Sequence, residues 1–226
     1  MNLAQRRKAA KKSRSLAVVR DDKLPAGAWR LGGFAGDAFH EELKPRPPLL
    51  IGISACLLGW KVRYDGGHKR NDSLMKRLRR RVEWVPVCPE VEMGLGTPRN
   101  KLRLVRQGGE VRLVMPSSGE DYTAQMRDYA RRRVEQLARE GLCGFVLKKN
   151  SPSCGAENVK AFDRRGRFAR RAQGLFAEAL LKRLPRPPVE EEDRLQDPKV
   201  LQDFLHRALA YQRAHLAPRR KGIKAR

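Results

Sequence analysis

Three of the four cysteines stand at the same kind of place in the chain. Cys56 sits in Ser54-Ala55-Cys56-Leu57-Leu58-Gly59, directly behind the apolar run Leu49-Leu50-Ile51-Gly52-Ile53. Cys88 follows Val85-Pro86-Val87, and Cys154 belongs to Ser151-Pro152-Ser153-Cys154-Gly155. Each lies in a small-residue turn behind a short apolar strand. If those strands run parallel in one sheet, their carboxyl ends share an edge, where open α/β sheets hold ligands. Three thiolates gathered there suit a metal cluster with one iron left open better than a closed structural zinc site. The gaps between the cysteines are too long for a zinc finger or a ferredoxin run, so spacing alone says only that a thiol or metal site lies at the strand ends. Cys143 opens a strand instead of following one and is expected to be a small buried hydrophobe. His40, His68, His206 and His215 have no paired ligand spacing; His68, near Asp65, is expected at the surface.

The elements that would position these residues are legible in outline. Leu49–Ile53 reads as a buried parallel strand. Asn71 or Asp72 can cap a helix reaching about Val82. Glu83–Val87 is the second strand. Lys101–Val105 and Val111–Met115 form a hairpin across Gly108-Gly109. Ser118 and Asp121 announce a helix with Tyr122, Met126, Tyr129, Val134 and Leu137 at core spacing. Cys143–Leu147 is the third strand, Val159–Phe162 a short further one, and Ala172–Leu184 an amphipathic helix stopped by Pro185. Glu190, Glu191, Glu192 and Asp193 read as a solvated linker after Pro187-Pro188. A last helix begins at Asp197-Pro198, with Val200, Phe204, Leu205, Leu209 and Tyr211 turned to the core. Strand–helix alternation predicts an α/β fold: a Rossmann-like, open, mostly parallel sheet flanked by helices, with basic N- and C-terminal extensions and a C-terminal helix. No G-x-G-x-x-G follows the first strand, which argues against a dinucleotide. The expected division is a basic, partly irregular extension over 1–48, the α/β domain that carries the three cysteine turns over 49–187, and a linker, helix and basic tail over 188–226.

Charge dominates the composition. Lys and Arg number 50 against 25 Asp and Glu, a formal net charge of +25 in 226 residues. Such an excess favours a polyanion as partner, with strong salt dependence. Residues 1–24 carry eight basic and two acidic side chains, and residues 211–226 six basic and none acidic. Both ends are expected to be mobile until bound. Lys76, Arg77, Arg79, Arg80 and Arg81 crowd one helix, Arg131, Arg132 and Arg133 another, and Arg164, Arg165, Arg167, Arg170 and Arg171 a third segment. The basic N-terminus has no apolar h-region and no run approaches a membrane span, so the expected compartment is the cytoplasm, where free thiols do metal or redox work.

Beyond the physics of the single residues, Ser54-Ala55-Cys56-Leu57-Leu58-Gly59 with Val62-Arg63-Tyr64-Asp65-Gly66, then Pro86-Val87-Cys88-Pro89-Glu90, then Lys148 with Ser151-Pro152-Ser153-Cys154-Gly155, closely resemble the TudS family of thiouracil desulfurases. The resemblance spans about residues 49 to 170. It implies a [4Fe-4S] cluster held by Cys56, Cys88 and Cys154, with one open iron that takes the sulfur of a thiolated pyrimidine. It also implies that Glu90 is the general acid/base, with Ser151 and Asp65 as further catalytic candidates. Ser151 and Asp65 have turn chemistry as the competing explanation, and Glu92 is expected to be a surface neighbour. The longer stretch Glu92–Arg99, and Pro188–Glu192 followed by Asp197-Pro198, resemble the tRNA 4-thiouridine (RudS-type) desulfidases, two-part relatives with a helical second domain. Together with the charge, this makes thiolated tRNA the expected partner and sulfur removal from 4-thiouridine the expected reaction. The alternatives are a desulfidase of free thiouracil or thionucleosides, and a non-catalytic RNA-binding protein with a structural metal. Oligomeric state is left open, with a monomer assumed.

Overall fold

The computed structural model describes residues 48–215. The basic N-terminal extension, with Trp29, Phe34, Phe39 and His40, and the last eleven residues of the basic tail lie outside the described residues.

Leu49–Ser54 (β1) is an almost uninterrupted apolar strand and is buried nearly throughout. It lies between Val82–Val87 (β2) and Gly144–Leu147 (β5), both parallel to it. Val189–Glu191 (β8) adds a fourth parallel strand beside β5, giving the order β2-β1-β5-β8. Period-two alternation sorts these strands onto two faces. Leu49, Ile51, Ile53 and Val146 point to one core, where Leu74, Leu78, Leu201, Phe204 and Ala208 meet them. Phe145 and Leu147 point to the other, with Met126, Tyr129, Val134, Leu137, Phe176 and Leu180. Helices Asp72–Leu78 (α1) and Pro198–His215 (α5) supply the first set of partners, and Thr123–Arg139 (α3) and Leu175–Arg183 (α4) the second. Strand and sheet spacing is tight enough to demand glycine at one point: a Cβ on Gly52 would lie 2.2 Å from Phe145 Cδ2.

A second sheet, order β4-β3-β6-β7, joins the Arg103–Gln107 (β3) and Glu110–Val114 (β4) hairpin to Val159–Phe162 (β6) and Phe168–Ala172 (β7). The hairpin and β6 match the sequence expectation. β7 does not: the sequence predicts a helix from Ala172, yet the chain stays extended until Gly174, and α4 starts at Leu175. Its arginine-rich sequence carries no period-two apolar face, because four of its five residues are exposed.

Two other expectations are corrected. α1 ends at Leu78, short of Val82, because Arg80 takes a left-handed φ of 69° and Val82 enters β2. The acidic stretch is no solvated linker. Val189–Glu191 pairs with Phe145–Leu147, and Glu190 and Glu192 are each only 7% exposed. Buried carboxylates need partners, and basic side chains supply them. Glu190 accepts from Arg207 and pairs with Arg194. Glu192 accepts from Lys148 and from the Lys149 backbone. The Asp197 cap is as expected, its carboxylate accepting from Lys199 N at 2.8 Å.

Candidate active site

The carboxyl ends of β2, β1 and β5 lie side by side because the three strands are parallel neighbours. Behind β1 the chain makes a single 3-10 turn, Ala55–Leu58, closed by Gly59 at a φ of 98°, and Cys56 is buried within it. Behind β2, Cys88 is the N-cap of the one-turn helix Pro89–Glu92 (α2), with Pro89 at its first position. Behind β5, the loop 148–158 carries Cys154. There the Ser151 hydroxyl accepts from Ser153 N at 3.2 Å and Cys154 N at 3.0 Å. Gly174 N donates to Gly155 O at 2.8 Å, an approach so close that a Cβ on Gly174 would meet Ser153 O at 2.5 Å.

All three cysteines line one cavity of about 300 Å3, together with Glu90, Arg99, Lys148 and Ser151. All are free thiols. Burial pushes the Cys56 thiol up, against the opposing pull of Lys148 and Arg63. Burial also lifts Cys88 from 9.0 to about 11. Cys154 is raised well above the usual range, first by burial and then by Cys88 and Cys56, with the Ser54 hydroxyl opposing. Among the described residues no three His, Cys, Asp or Glu side chains are gathered closely enough to hold a single metal ion. The donor set instead fits a larger thiolate-bound group. Shielded sulfurs in one cavity, where Cys56 raises Cys88 and both raise Cys154, are poor neighbours as free thiolates. They become compatible once a cation cluster shares their charge.

Glu90 is locked from both sides. Ser153 Oγ donates to its Oε1 at 2.8 Å, and Arg99 donates to its Oε2 at 2.6 Å from Nη2 and 2.9 Å from Nε. Arg99 also donates to Val62 O at 3.0 Å, tying the 60–67 loop to the cavity. Ser153 and Arg99 belong to the sequence motifs, but nothing in their immediate neighbourhood gives them a role. A buried carboxylate two residues past a cavity cysteine is itself the signal that such partners exist.

Glu92, expected at the surface, is not free there. Its Oε1 accepts from Cys88 N at 2.8 Å, its Oε2 accepts from Tyr129 OH at 2.7 Å, and Arg133 approaches at 3.2 Å. It holds the Cys88 backbone in place. Lys148 reaches Glu192 with its ammonium, and its N–H donates to Ser54 Oγ at 2.9 Å. Glu191 Oε1 accepts from Ala156 N at 2.9 Å. Thus Glu191 at the end of β8 braces the Cys154 loop and Glu192, the next residue, braces the lysine, roles that no local pattern announces.

Asp65 is not among the cavity residues. It accepts from Gly67 N at 3.0 Å in an Asx turn and faces Arg63 at 3.5 Å. Ser151 lines the cavity and also serves the turn. Cys143 lies at the other end of β5, buried in the α1–α5 core, its Sγ 3.4 Å from Gly141 O. His68 is exposed at the 60–70 loop, its Nδ1 accepting from Arg70 N.

The sequence profile of the 2-thiouracil desulfurase family matches residues 51–192, from β1 to the end of β8. An uncharacterised protein of Bacillus subtilis (strain 168), YbbK, is 31% identical over 112 residues, 47% of this chain and 74% of that one. Among solved structures, the [4Fe-4S]-dependent thiouracil desulfidase TudS is similar at a TM-score of 0.53 and 32% identity, over 70% of this chain and 97% of TudS. The profile match contains every residue that lines the cavity, and the chain belongs to the 2-thiouracil desulfurase family.

Proposed function

We propose that this chain is a [4Fe-4S]-dependent desulfidase that converts the C=S of 4-thiouridine in tRNA to C=O, with Cys56, Cys88 and Cys154 as the cluster ligands. The observation that carries the proposal is the single cavity lined by those three thiols and Glu90 at the carboxyl edge of the sheet. A cluster bound there by three thiolates supplies an iron without a protein ligand, a soft Lewis acid for a thiocarbonyl sulfur.

The protein residues do the rest. Water replaces sulfur at the ring carbon: C=S and one water give C=O and one hydrogen sulfide, with no net redox change. Glu90 takes the proton from that water and returns it to the departing sulfur. Arg99 and Ser153 fix which way its oxygens point: Arg99 fills Oε2 with two bonds, and Oε1, with one bond from Ser153, keeps acceptor capacity for the water. Lys148, aimed by Glu192, puts a positive charge on the cavity wall where sulfide-like charge develops. The Ser151 hydroxyl proton is available to the cavity, since its oxygen only accepts from the backbone.

The RNA half of the proposal rests on charge. A net +25 is far beyond what a pyrimidine needs, and the cavity of about 300 Å3 admits one base and no polymer. A tRNA base would therefore be turned out of its stack to enter. Not every basic cluster is available to phosphate. Arg133 is buried between Glu92 and Glu140, and Arg77 donates to Leu195 O and Gln196 O. A cytoplasmic location is part of the same proposal; among the described residues no helix is long and apolar enough to cross a membrane.

A second reading, action on free thiouracil, is favoured by that small cavity and by the substrate in the name of TudS. The test is anaerobic reconstitution of the full chain, then 4-thiouridine loss from bulk tRNA measured beside turnover of free thiouracil and the free nucleoside. Loss from tRNA at low salt supports the proposal. Turnover of thiouracil alone selects the second reading. A protein that takes up no iron would overturn both.

A further inference from the structure

We infer that the β6–β7 hairpin is an RNA-docking arm, with Phe168 as a stacking platform for an unpaired base and the surrounding arginines as its phosphate contacts. The inference rests on the RNA reading above and adds to it the element that would hold the polymer.

Phe168 is 57% exposed, against 36% for Trp60, the other large hydrophobic on the described surface. A single exposed ring is ordinary. Its setting is not: every residue from Arg164 to Arg171 is exposed, and five of those eight are arginine. The one acid in the hairpin, Asp163, is consumed by Arg167 at 2.9 Å and by the backbone of Arg165 and Arg167. Among the described residues the Arg164 and Arg165 side chains meet no carboxylate. Arg103 already stacks on Phe162 at 4.5 Å, so cation and ring alternate along this side of the sheet.

β7 is the outer strand of its sheet among the described residues. An open edge with an exposed ring would invite another strand, but arginines along it repel a second copy and blunt protein pairing. A nucleic acid answers both features at once, through base–aromatic stacking and backbone charge. The arm is also tied to the chemistry. It leaves the Cys154 loop at Val159 and returns to it at Gly174, where Gly174 N bonds Gly155 O; Arg171 donates to Asn158 O at 3.0 Å. A polymer held on the hairpin is therefore anchored to the loop that carries a cavity cysteine.

The test measures binding of bulk tRNA to the full chain across a salt series, with thiouracil turnover by the reconstituted protein as control. Phe168→Ala should weaken tRNA binding roughly tenfold or more at each salt concentration while leaving the salt slope unchanged. Phe168→Trp should restore the affinity. Arg164→Ala with Arg165→Ala should flatten the slope by about one to two. Thiouracil turnover should stay at the wild-type rate in all three. Wild-type binding of tRNA combined with unchanged affinity in Phe168→Ala overturns the arm and leaves the RNA reading standing. Failure of the wild type to bind tRNA overturns that reading and the arm with it. A Phe168→Ala variant that instead changes oligomeric size, with RNA affinity intact, overturns the arm in favour of a second copy as occupant.

Discussion

Glu90 illustrates how much a single side chain depends on its neighbours. Its charge is held by Arg99 and its orientation by Ser153, so it is a fixed acceptor at the cavity wall. Glu90→Gln preserves the shape and removes the proton acceptor. It should keep the brown colour of a reconstituted protein and lower turnover by roughly 10²–10⁴-fold; the check is an absorbance spectrum beside a rate. Substituting Ala for Cys56, Cys88 or Cys154 should abolish the colour, and Cys143→Ala should keep it, because Cys143 packs among Leu49, Val146 and Phe204 away from the cavity. Loss of the cluster in Cys143→Ala would show that the ligand set is wrong. The cavity thiols also make a pH statement about the metal-free protein. Burial raises Cys88 from 9.0 to about 11. A thiol whose pKa is higher folded than unfolded contributes stability below the unfolded value, and loses it as pH rises through the folded one. The metal-free fold should lose at most about 2–3 kcal/mol between roughly pH 9 and pH 11 from this group. Urea unfolding midpoints across that window measure it, and a midpoint that rises there contradicts the sign.

At the scale of elements, β8 is the least obvious contributor. It is three residues long, mostly acidic, and reads locally as a linker, yet it pairs with β5 and, with Glu192 directly behind it, braces Lys148 and the Cys154 loop. The reason lies in its partners: a carboxylate pattern looks solvated until the lysine and arginines that neutralise it are placed in space. The helix that follows is the opposite case. Phe204 on α5 is fully buried in the core it shares with α1, its ring tip against Gly144. Its apolar spacing already marks it as a core residue. Phe204→Ala should cost about 3–5 kcal/mol of stability, read from the denaturant midpoint. A loss below about 1 kcal/mol would mean that α5 is dispensable to the sheet. Strand β7 escapes local reading for a related reason: with no buried face it carries no alternation to detect.

For the whole molecule the deciding quantity is charge. In the proposed function the cavity takes one heterocycle and the surface a polyanion, and salt separates the two. If about six phosphates are neutralised, activity on tRNA at limiting enzyme should fall by roughly a thousandfold between about 50 and 200 mM salt, while turnover of free thiouracil should barely change. Equal salt response of the two substrates would reduce the +25 to mere surface. Part of that charge is spent on the scaffold's own carboxylates: Arg133 pairs with Glu92 and Glu140, Arg99 with Glu90, and the exposed Arg207 with the buried Glu190. The share left for a polyanion is smaller than composition suggests, and the exposed arginines of the β6–β7 hairpin belong to that share.

By itself the sequence determined six of the eight strands among the described residues, β7 and β8 excepted, because apolar runs and alternation have few other uses, and the recurrence of cysteine behind three of them. It determined the amphipathic helices and the family resemblance, which are matters of local spacing and short motifs. It did not determine that Glu92 holds Cys88, that Ser153 and Arg99 aim Glu90, that Asp65 serves its own turn, or that an acidic stretch is a buried strand. Asp65 and the Glu92–Cys88 bond are local, but Ser153 with Glu90, Tyr129 and Arg133 with Glu92, and the loop behind β5 with Glu191 and Glu192 are partners distant in the chain, which only the tertiary structure decided. The physical cause is the same in each case: a charged or hydroxyl side chain has no preferred environment until the donor or acceptor that satisfies it has been brought alongside.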